Sequence, residues 1–501
     1  MTDDAKRAEW SARARDLVPE TRPFIGGRFV ESCSQDAFDK HNPADGSLLA
    51  RFAVGSAEDV DRATAAARTS FESGIWAHAS VDHRKAVLHR LADLMEAHAD
   101  ELALLETLDV GKPIRDARGI DLPLAIGILR HAAEAADQVL GQVHPTDGRS
   151  LALAVRMPRG VAAGIVGWNF PLVLAMQKLA PALATGNSLV LKPSELSSLS
   201  AIRVAALAAE AGVPEGVVNV VPGLGATVGH AIAHHMDIDL LSFTGSSATG
   251  KRLLQASGAS NMKRLVLECG GKSPNIVFAD APDLDLVADG VMARMFWNQG
   301  QVCTAGTRLL VDRTVKDALL EKLLARVAGI VPGHPLDPGT TFGPLISAGQ
   351  RDKVMGYIED GLGAGASLRA GGSGAPAEGY YVAPTVFDNV TTDMRIAQEE
   401  IFGPVLSVLP FSNIDEAVSL ANATVYGLSA TAWTQSLYTA QRMIRDLRVG
   451  ELVIRGTGTP SAGAKFGALP LEPHGQSGLG IESGIEGLAA YTALKSVQLF
   501  V

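Results

Sequence analysis

The chain is short of cysteine, charge, aromatics and long apolar runs, and each shortage excludes something. Three cysteines in 501 residues, Cys33, Cys269 and Cys303, cannot form a disulfide framework. They suit a reducing compartment in which one thiol can be chemically useful. Charged residues make up only 20% of the chain while 47% is hydrophobic, which rules out a disordered or fibrous protein. Basic residues are outnumbered, 44 to 54, for a net charge of −10, so the overall field repels polyphosphate and no nucleic-acid partner is expected. The N-terminus lacks the apolar core of a secretory signal, and a cytoplasmic location is expected. One stretch, Gly160 to Gln177, carries no charge over 18 positions. It is interrupted by Trp168, Asn169, Phe170 and Pro171, and a strand followed by a new helix accounts for it better than a membrane span does. No membrane partner is expected.

Glycine is in surplus. Its 52 copies, about a tenth of the chain against a usual ~7%, show no collagen-like period and imply many tight turns or close approaches of backbone to a ligand. Length alone suggests about three compact units. From Gly160 onward, short apolar runs alternate with helical patterns. Strands are read at Val161 to Val166, Ser188 to Leu191, Val217 to Val221, Leu240 to Phe243 and Arg264 to Leu267, with helices near Pro171 to Ala184, Ser200 to Ala211, Ala226 to His235 and Ser247 to Ala256. This is the pattern of a parallel, doubly wound α/β sheet whose ligands bind beyond the strands' carboxyl ends. The first 140 residues read as mostly helical, as in Val87 to Leu108. A second alternation starts near Asp283: a helix to Phe296, then strands near Leu309 to Asp312, Val405 to Leu409, Ser429 to Trp433 and Glu451 to Ile454. The tract from Gly361 to Gly379 reads as a surface connection. Two β-like segments, Leu151 to Met157 and Ser496 to Val501, have no obvious neighbour; an edge within the subunit or pairing with a second subunit would serve either.

Chemistry concentrates at junctions. Cys303 lies in FWNQGQVCTAGTR, on a loop between a helix and a strand with Gly300 and Gly306 on either side. Cysteine is already a strong nucleophile near neutral pH, although a lone thiol is more often buried and inert. Glu268 ends the strand Arg264 to Leu267 and precedes Cys269-Gly270-Gly271, where an acid faces the ligand crevice and is a candidate general base; its bland alternative is a capping or surface glutamate. Phosphate-binding candidates are Gly223-Leu224-Gly225-Ala226-Thr227-Val228-Gly229, one position off the dinucleotide fingerprint, and Phe243-Thr244-Gly245-Ser246. Lys192-Pro193-Ser194-Glu195 offers a carboxylate to ribose hydroxyls. Each of these could be no more than a strand–turn–helix junction.

Taken in order, GIVGWNFP, LVLKPSE, FTGSSATG, LECGGKSP, GQVCTAGTR and EEIFGPV resemble the NAD(P)-dependent aldehyde dehydrogenase family, over nearly the whole chain. Arg84 to Lys112 and PGHPLDP look most like the bacterial aminoaldehyde branch, which includes γ-glutamyl-γ-aminobutyraldehyde dehydrogenases. The resemblance implies two Rossmann-like domains plus a small β oligomerisation element: residues 20–140 and 160–268 binding NAD, 269–475 catalytic, and 141–159 with 483–501 oligomerising into a dimer or tetramer. It implies Cys303 as nucleophile, Glu268 as base and the Asn169 amide as oxyanion donor. Cofactor contacts are implied for Trp168, Lys192, Ser194, Glu195, Gly225, Phe243, Gly245, Ser246, Glu400 and Phe402, with no metal. Lys178 and Glu482 match family positions proposed to relay protons. NAD is favoured over NADP because the Glu195 carboxylate suits a free 2′-hydroxyl.

The chain departs from the family at three places. Gln177 stands where many relatives have an aromatic residue, and Cys269 where leucine is usual. Arg455 replaces an asparagine, and Pro470 to Gly478 has lost the usual glycine-rich run. Arg455 could greet an anionic aldehyde at the substrate mouth or be a plain surface charge. Other readings are an acylating enzyme, which Glu268 argues against, a non-catalytic protein keeping the fold, and a cofactor-free cysteine hydrolase, for which no histidine is in position.

Overall fold

The computed structural model describes residues 3–372, 378–456 and 467–500. Five parallel strands form the centre of the first sheet: β1 (Val161–Ile165), β2 (Ser188–Lys192), β3 (Val218–Val220), β4 (Leu240–Thr244) and β5 (Arg264–Glu268). They lie in the order β3-β2-β1-β4-β5. The chain therefore winds outward from β1 in one direction, returns, and winds out the other way from β4. The crevice beyond the ends of β1 and β4 is the topological switch point, where ligands of such sheets bind. All five residues of β1 and of β2 are buried, as expected of strands covered on both faces.

The uncharged stretch resolves into β1, a turn, and the helix Pro171–Ala184, which starts with proline at its first turn and is buried along most of its length. No helix among the described residues is long and apolar enough to cross a membrane. Two helical expectations need correction. The run Val87 to Leu108 breaks at His98 into Val81–Ala97 and Ala99–Val110. The helix expected from Ala226 is a wide turn over Gly225–Gly229 followed by a short helix, His230–His234. The first 140 residues also hold short strands, of which Phe24–Ile25 extends the first sheet beside β3.

The second sheet carries β6 (Pro274–Val277), β7 (Arg308–Asp312), β8 (Thr385–Asp388), β9 (Val405–Phe411), β10 (Ser429–Trp433) and β11 (Glu451–Arg455). These run parallel in the order β8-β9-β7-β6-β10-β11, with Ser367–Ala370 antiparallel on the outside of β8. Sequence patterning missed β6 and β8, each only four residues long. The chain passes from β5 to β6 through five residues, so the carboxyl ends of the first sheet face the amino ends of the second.

The two β-like segments without neighbours pair with each other. Thr492–Phe500 runs antiparallel to Ser150–Pro158 from Thr492 opposite Pro158 to Phe500 opposite Ser150, and Gln142–His144 adds a third strand. The preceding helix, Gly484–Ala490, packs against Pro171–Ala184 on the first sheet. Residues 373–377 of the glycine-rich tract, 457–466 of the expected substrate mouth, and Val501 lie outside the described residues.

Candidate active site

The cleft is built from loops leaving β1, β4 and β5 and loops entering β6, β7 and β9. Asn169 follows β1 and is buried; its side-chain Nδ2 donates to the Gln301 carbonyl oxygen at 2.9 Å, two residues before Cys303. Gly271 follows β5, and a Cβ added there would lie 2.6 Å from the Cys303 carbonyl oxygen. Asn169, Glu268 and Cys303, far apart in sequence, thus converge where the two sheets face each other.

The approach to Cys303 is a left-handed corner. Asn298 (φ 50°), Gln299 (φ 56°) and Gly300 (φ 70°) follow one another in a region that costs a non-glycine residue about 1–3 kcal/mol. Gly300 is required twice over, because a Cβ there would meet the Gly403 carbonyl oxygen at 2.5 Å. Buried side chains hold the corner: Asn298 Nδ2 donates to the carbonyls of Asn169 (3.1 Å) and Gln301 (3.2 Å), and Gln301 Oε1 accepts from the Ile346 N–H at 3.0 Å.

Burial pushes the Cys303 thiol up to about 12, with repulsion from Glu400 and Glu268 adding to it, so the resting group is a protonated thiol. Burial also raises the Glu268 carboxyl well above the usual range, followed by repulsion from Glu482 and opposed by the Lys178 ammonium. Glu268 is 5% exposed and its Oε1 has no hydrogen-bond partner among the described residues. Lys178, fully buried, is paired to Glu482 at close range. A carboxyl raised in this way by burial, with an oxygen left without a hydrogen bond among the described residues, suits a general base.

The residues implied for cofactor binding form a continuous wall on the first sheet's side. Lys192, at the end of β2, is buried and reaches Glu195 Oε2 at 3.3 Å and its neighbour's carbonyl, Pro193 O, at 2.9 Å. Glu195 is half-buried. Phe243 lies beneath Gly245, where a Cβ would strike its ring at 2.5 Å. Ser246 is exposed and caps the helix Ser247–Ala259, its Oγ accepting from Thr249 N–H. Gly225 is exposed with open space around it. Ser194 differs from the rest: its hydroxyl accepts from Leu196 N–H within its own turn. On the second sheet's side, Trp168 and Phe402 meet edge-on, ring centroids 5.1 Å apart at 90°. Glu400 accepts from the Gly271 N–H at 3.1 Å, and Gly270 leaves room for that carboxylate, since a Cβ would fall 2.1 Å from its oxygen. Bare glycine backbone, an exposed helix cap and two carboxylates beside the strand-end loops fit a dinucleotide.

The sequence departures find structural explanations. Cys269 is buried in the core of the first sheet with Leu267 and Phe243 and takes up the space above Gly250, whose Cβ would come within 2.8 Å of its sulfur, so it is packing material. Gln177 lines a cavity with His131, Gly467 and Glu482. Arg455 ends β11, at the opposite end of the second sheet from the Cys303 loop, and its guanidinium lies over the Trp433 ring at 5.3 Å. Its stacking explains the arginine without any aldehyde. Within the altered run, Ser477 ties the site together: its Oγ donates to the Gly270 carbonyl (2.8 Å), accepts from the Gly427 N–H (2.9 Å), and its carbonyl accepts from Cys269 N–H (2.8 Å).

A doubly wound sheet whose strand-end glycines and helix cap face a thiol, a raised carboxyl and an amide has the layout of a nucleotide-dependent oxidoreductase. The chain belongs to the aldehyde dehydrogenase family, whose model matches residues 29–497. It is 47% identical over 492 residues, covering 98% of both chains, to the NADP/NAD-dependent aldehyde dehydrogenase PuuC of Escherichia coli. AldA indole-3-acetaldehyde dehydrogenase from P. syringae, solved in complex with NAD+ and IAA, superposes with a TM-score of 0.96 at 48% identity over 99% of both chains. The γ-glutamyl-γ-aminobutyraldehyde dehydrogenase of Burkholderia cenocepacia gives 0.95 at 48% identity over 99% of both chains.

Proposed function

We propose that this enzyme oxidises an aldehyde to the carboxylic acid through a thioester on Cys303 that is hydrolysed by water activated by Glu268. The observation that carries the reading is the convergence of Asn169, Cys303 and Glu268 between the two sheets, with the Glu268 carboxyl raised and one oxygen unpartnered. Cys303 sulfur attacks the aldehyde carbon as its thiol proton passes to solvent water, and the oxyanion of the thiohemiacetal is met by the Asn169 amide and the Cys303 N–H. Bound NAD would supply the hydride acceptor for this carbon. Glu268 then takes a proton from the water that attacks the thioester, and Cys303 leaves as the thiol. Lys178 and Glu482 stand behind Glu268 to pass that proton on. Lys192 and Glu195 hold the adenosine ribose, Gly225, Gly245 and Ser246 the pyrophosphate region, and Trp168, Glu400 and Phe402 the nicotinamide end.

Asn169→Ala should lower kcat by about 10²–10³, the usual loss for one oxyanion donor, with a much smaller change in the KM for NAD. The half-buried Glu195 carboxylate repels a 2′-phosphate, so kcat/KM should be higher for NAD than for NADP; equal or reversed values would refute that assignment. The substrate class is set by a panel of aliphatic, aromatic and amino aldehydes, followed as NADH formation without coenzyme A.

The unpaired outer edge of Thr492–Phe500, with Leu494 63% and Phe500 76% exposed, suits a homo-oligomer built edge to edge. A reducing, cytoplasmic setting suits three free thiols.

A further inference from the structure

Behind Asn169 lies a group of charges that the reaction just described does not use. Lys112, fully buried, follows the helix Ala99–Val110 and makes an ion pair at close range with Asp121, itself fully buried. Its ammonium also donates to the Asn169 carbonyl oxygen at 3.2 Å and sits 3.9 Å from the centre of the Phe170 ring. That carbonyl takes a second hydrogen bond from Asn298 Nδ2 at 3.1 Å, on the left-handed corner that leads to Cys303. Phe170 in turn packs on Trp297, centroids 5.1 Å apart, at the start of the same corner. One lysine therefore touches both residues 169 and 170, and through them the approach to the thiol.

A buried ion pair is a poor source of stability, because desolvating both charges costs about what their attraction returns; well-packed apolar residues would hold these helices at least as well. Burial raises Asp121 to about 6 against the pull of Lys112, so the pair survives at a cost. The other acids nearby have partners of their own: Glu106 binds Ser200 and the Leu172 N–H, Asp109 binds the Leu199 N–H and faces Lys40 at 3.8 Å, and Asp116, which also feels the Lys112 charge, pairs with Arg115 at 3.4 Å. What distinguishes Lys112 is where its remaining donor goes.

We infer that Lys112, braced by Asp121, is a positioning residue for the oxyanion site: it fixes the Asn169 carbonyl and so aims the Asn169 amide, and it places a full positive charge one peptide away from the developing oxyanion. The inference rests on the reading of Asn169 and Cys303 given above.

Lys112→Met keeps the length of the side chain and removes the charge. It should lower kcat by about 10- to 100-fold, the scale of a misplaced oxyanion donor, while the KM for NAD stays within about 2-fold. A trifluoromethyl ketone, which forms a tetrahedral adduct with the thiol, should bind more weakly in parallel with kcat. Alkylation of Cys303 by iodoacetamide, which needs no oxyanion donor, should proceed at the wild-type rate. Because Met leaves Asp121 buried and unpaired, Lys112→Met/Asp121→Leu serves as the second variant: it should recover the melting temperature without recovering kcat or ketone affinity. Recovery of kcat in the double variant, or unchanged ketone affinity in a folded single variant, would overturn the inference and leave Lys112 a packing element. Failure of iodoacetamide to label Cys303 in the wild type would instead overturn the parent reading of the site.

Discussion

Cys303→Ala should reduce NADH formation from every aldehyde by about 10⁴-fold or more, to the background of the uncatalysed mixture. The size of the effect follows from the chemistry. Without a covalent bond to sulfur the aldehyde carbon remains trigonal, and its hydrogen has no adjacent oxyanion to drive it off as hydride. Nothing else nearby can substitute. Cys269 is packed into the core of the first sheet with its sulfur against Gly250, and Cys33 lies in the N-terminal region, where its sulfur accepts from Arg62 at 3.1 Å. Cofactor binding should survive, since Lys192, Glu195 and the strand-end glycines belong to the other side of the cleft. Residual activity within tenfold of wild type would remove Cys303 from the mechanism.

Glu268→Gln should separate the two halves of the reaction. A first equivalent of NADH should appear in a burst, because attack and hydride transfer use Cys303 and the oxyanion donors. Steady turnover should fall by about 10³-fold or more, because the amide cannot accept a proton from water. The pH dependence has a definite sign. Burial and Glu482 raise the Glu268 carboxyl, and only its deprotonated form is a base, so wild-type turnover should climb as pH rises through that elevated value. The slope should vanish in the Gln variant. Loss of the burst together with turnover would assign the glutamate another principal role.

Much of this was legible in the sequence because strands and their ends announce themselves. Short apolar runs between helical patterns located the five central parallel strands of the first sheet, and a strand's carboxyl end singled out Glu268 and Gly245 before any geometry. The misses have physical causes. The strands β6 and β8 are too short for a period to show. The turn at Gly225–Gly229 keeps helical spacing but widens, which spacing alone does not register. The terminal strand's partner lies more than 330 residues away in sequence. The supporting residues were hidden for the same reason. Lys112 reaches Asn169 across 57 residues, Asn169 reaches Gln301 across 132, and Ser477 reaches Gly270 across 207. A signal for Lys112 did exist: Glu106, Asp109 and Lys112 recur every three residues in a stretch that is otherwise mostly apolar, continuing past the helix end at Val110, too enclosed for a solvated face.

Arg455 shows the opposite lesson. By sequence it could have met an anionic aldehyde at a substrate mouth or been a plain surface charge; the strand it ends leaves it exposed at the far end of the second sheet and over the Trp433 ring, which fits the second. Position along the chain left both open where strand direction decided.

The central claim is that a thioester on Cys303 is cleared by Glu268. It is tested most directly by mixing the Glu268→Gln enzyme with NAD and an aldehyde it oxidises, quenching in acid, and measuring intact and peptide masses. The account predicts one NADH per active subunit and an acyl group of matching mass on the peptide containing Cys303, absent when hydroxylamine is added. NADH formed with no acyl group on that peptide would contradict it.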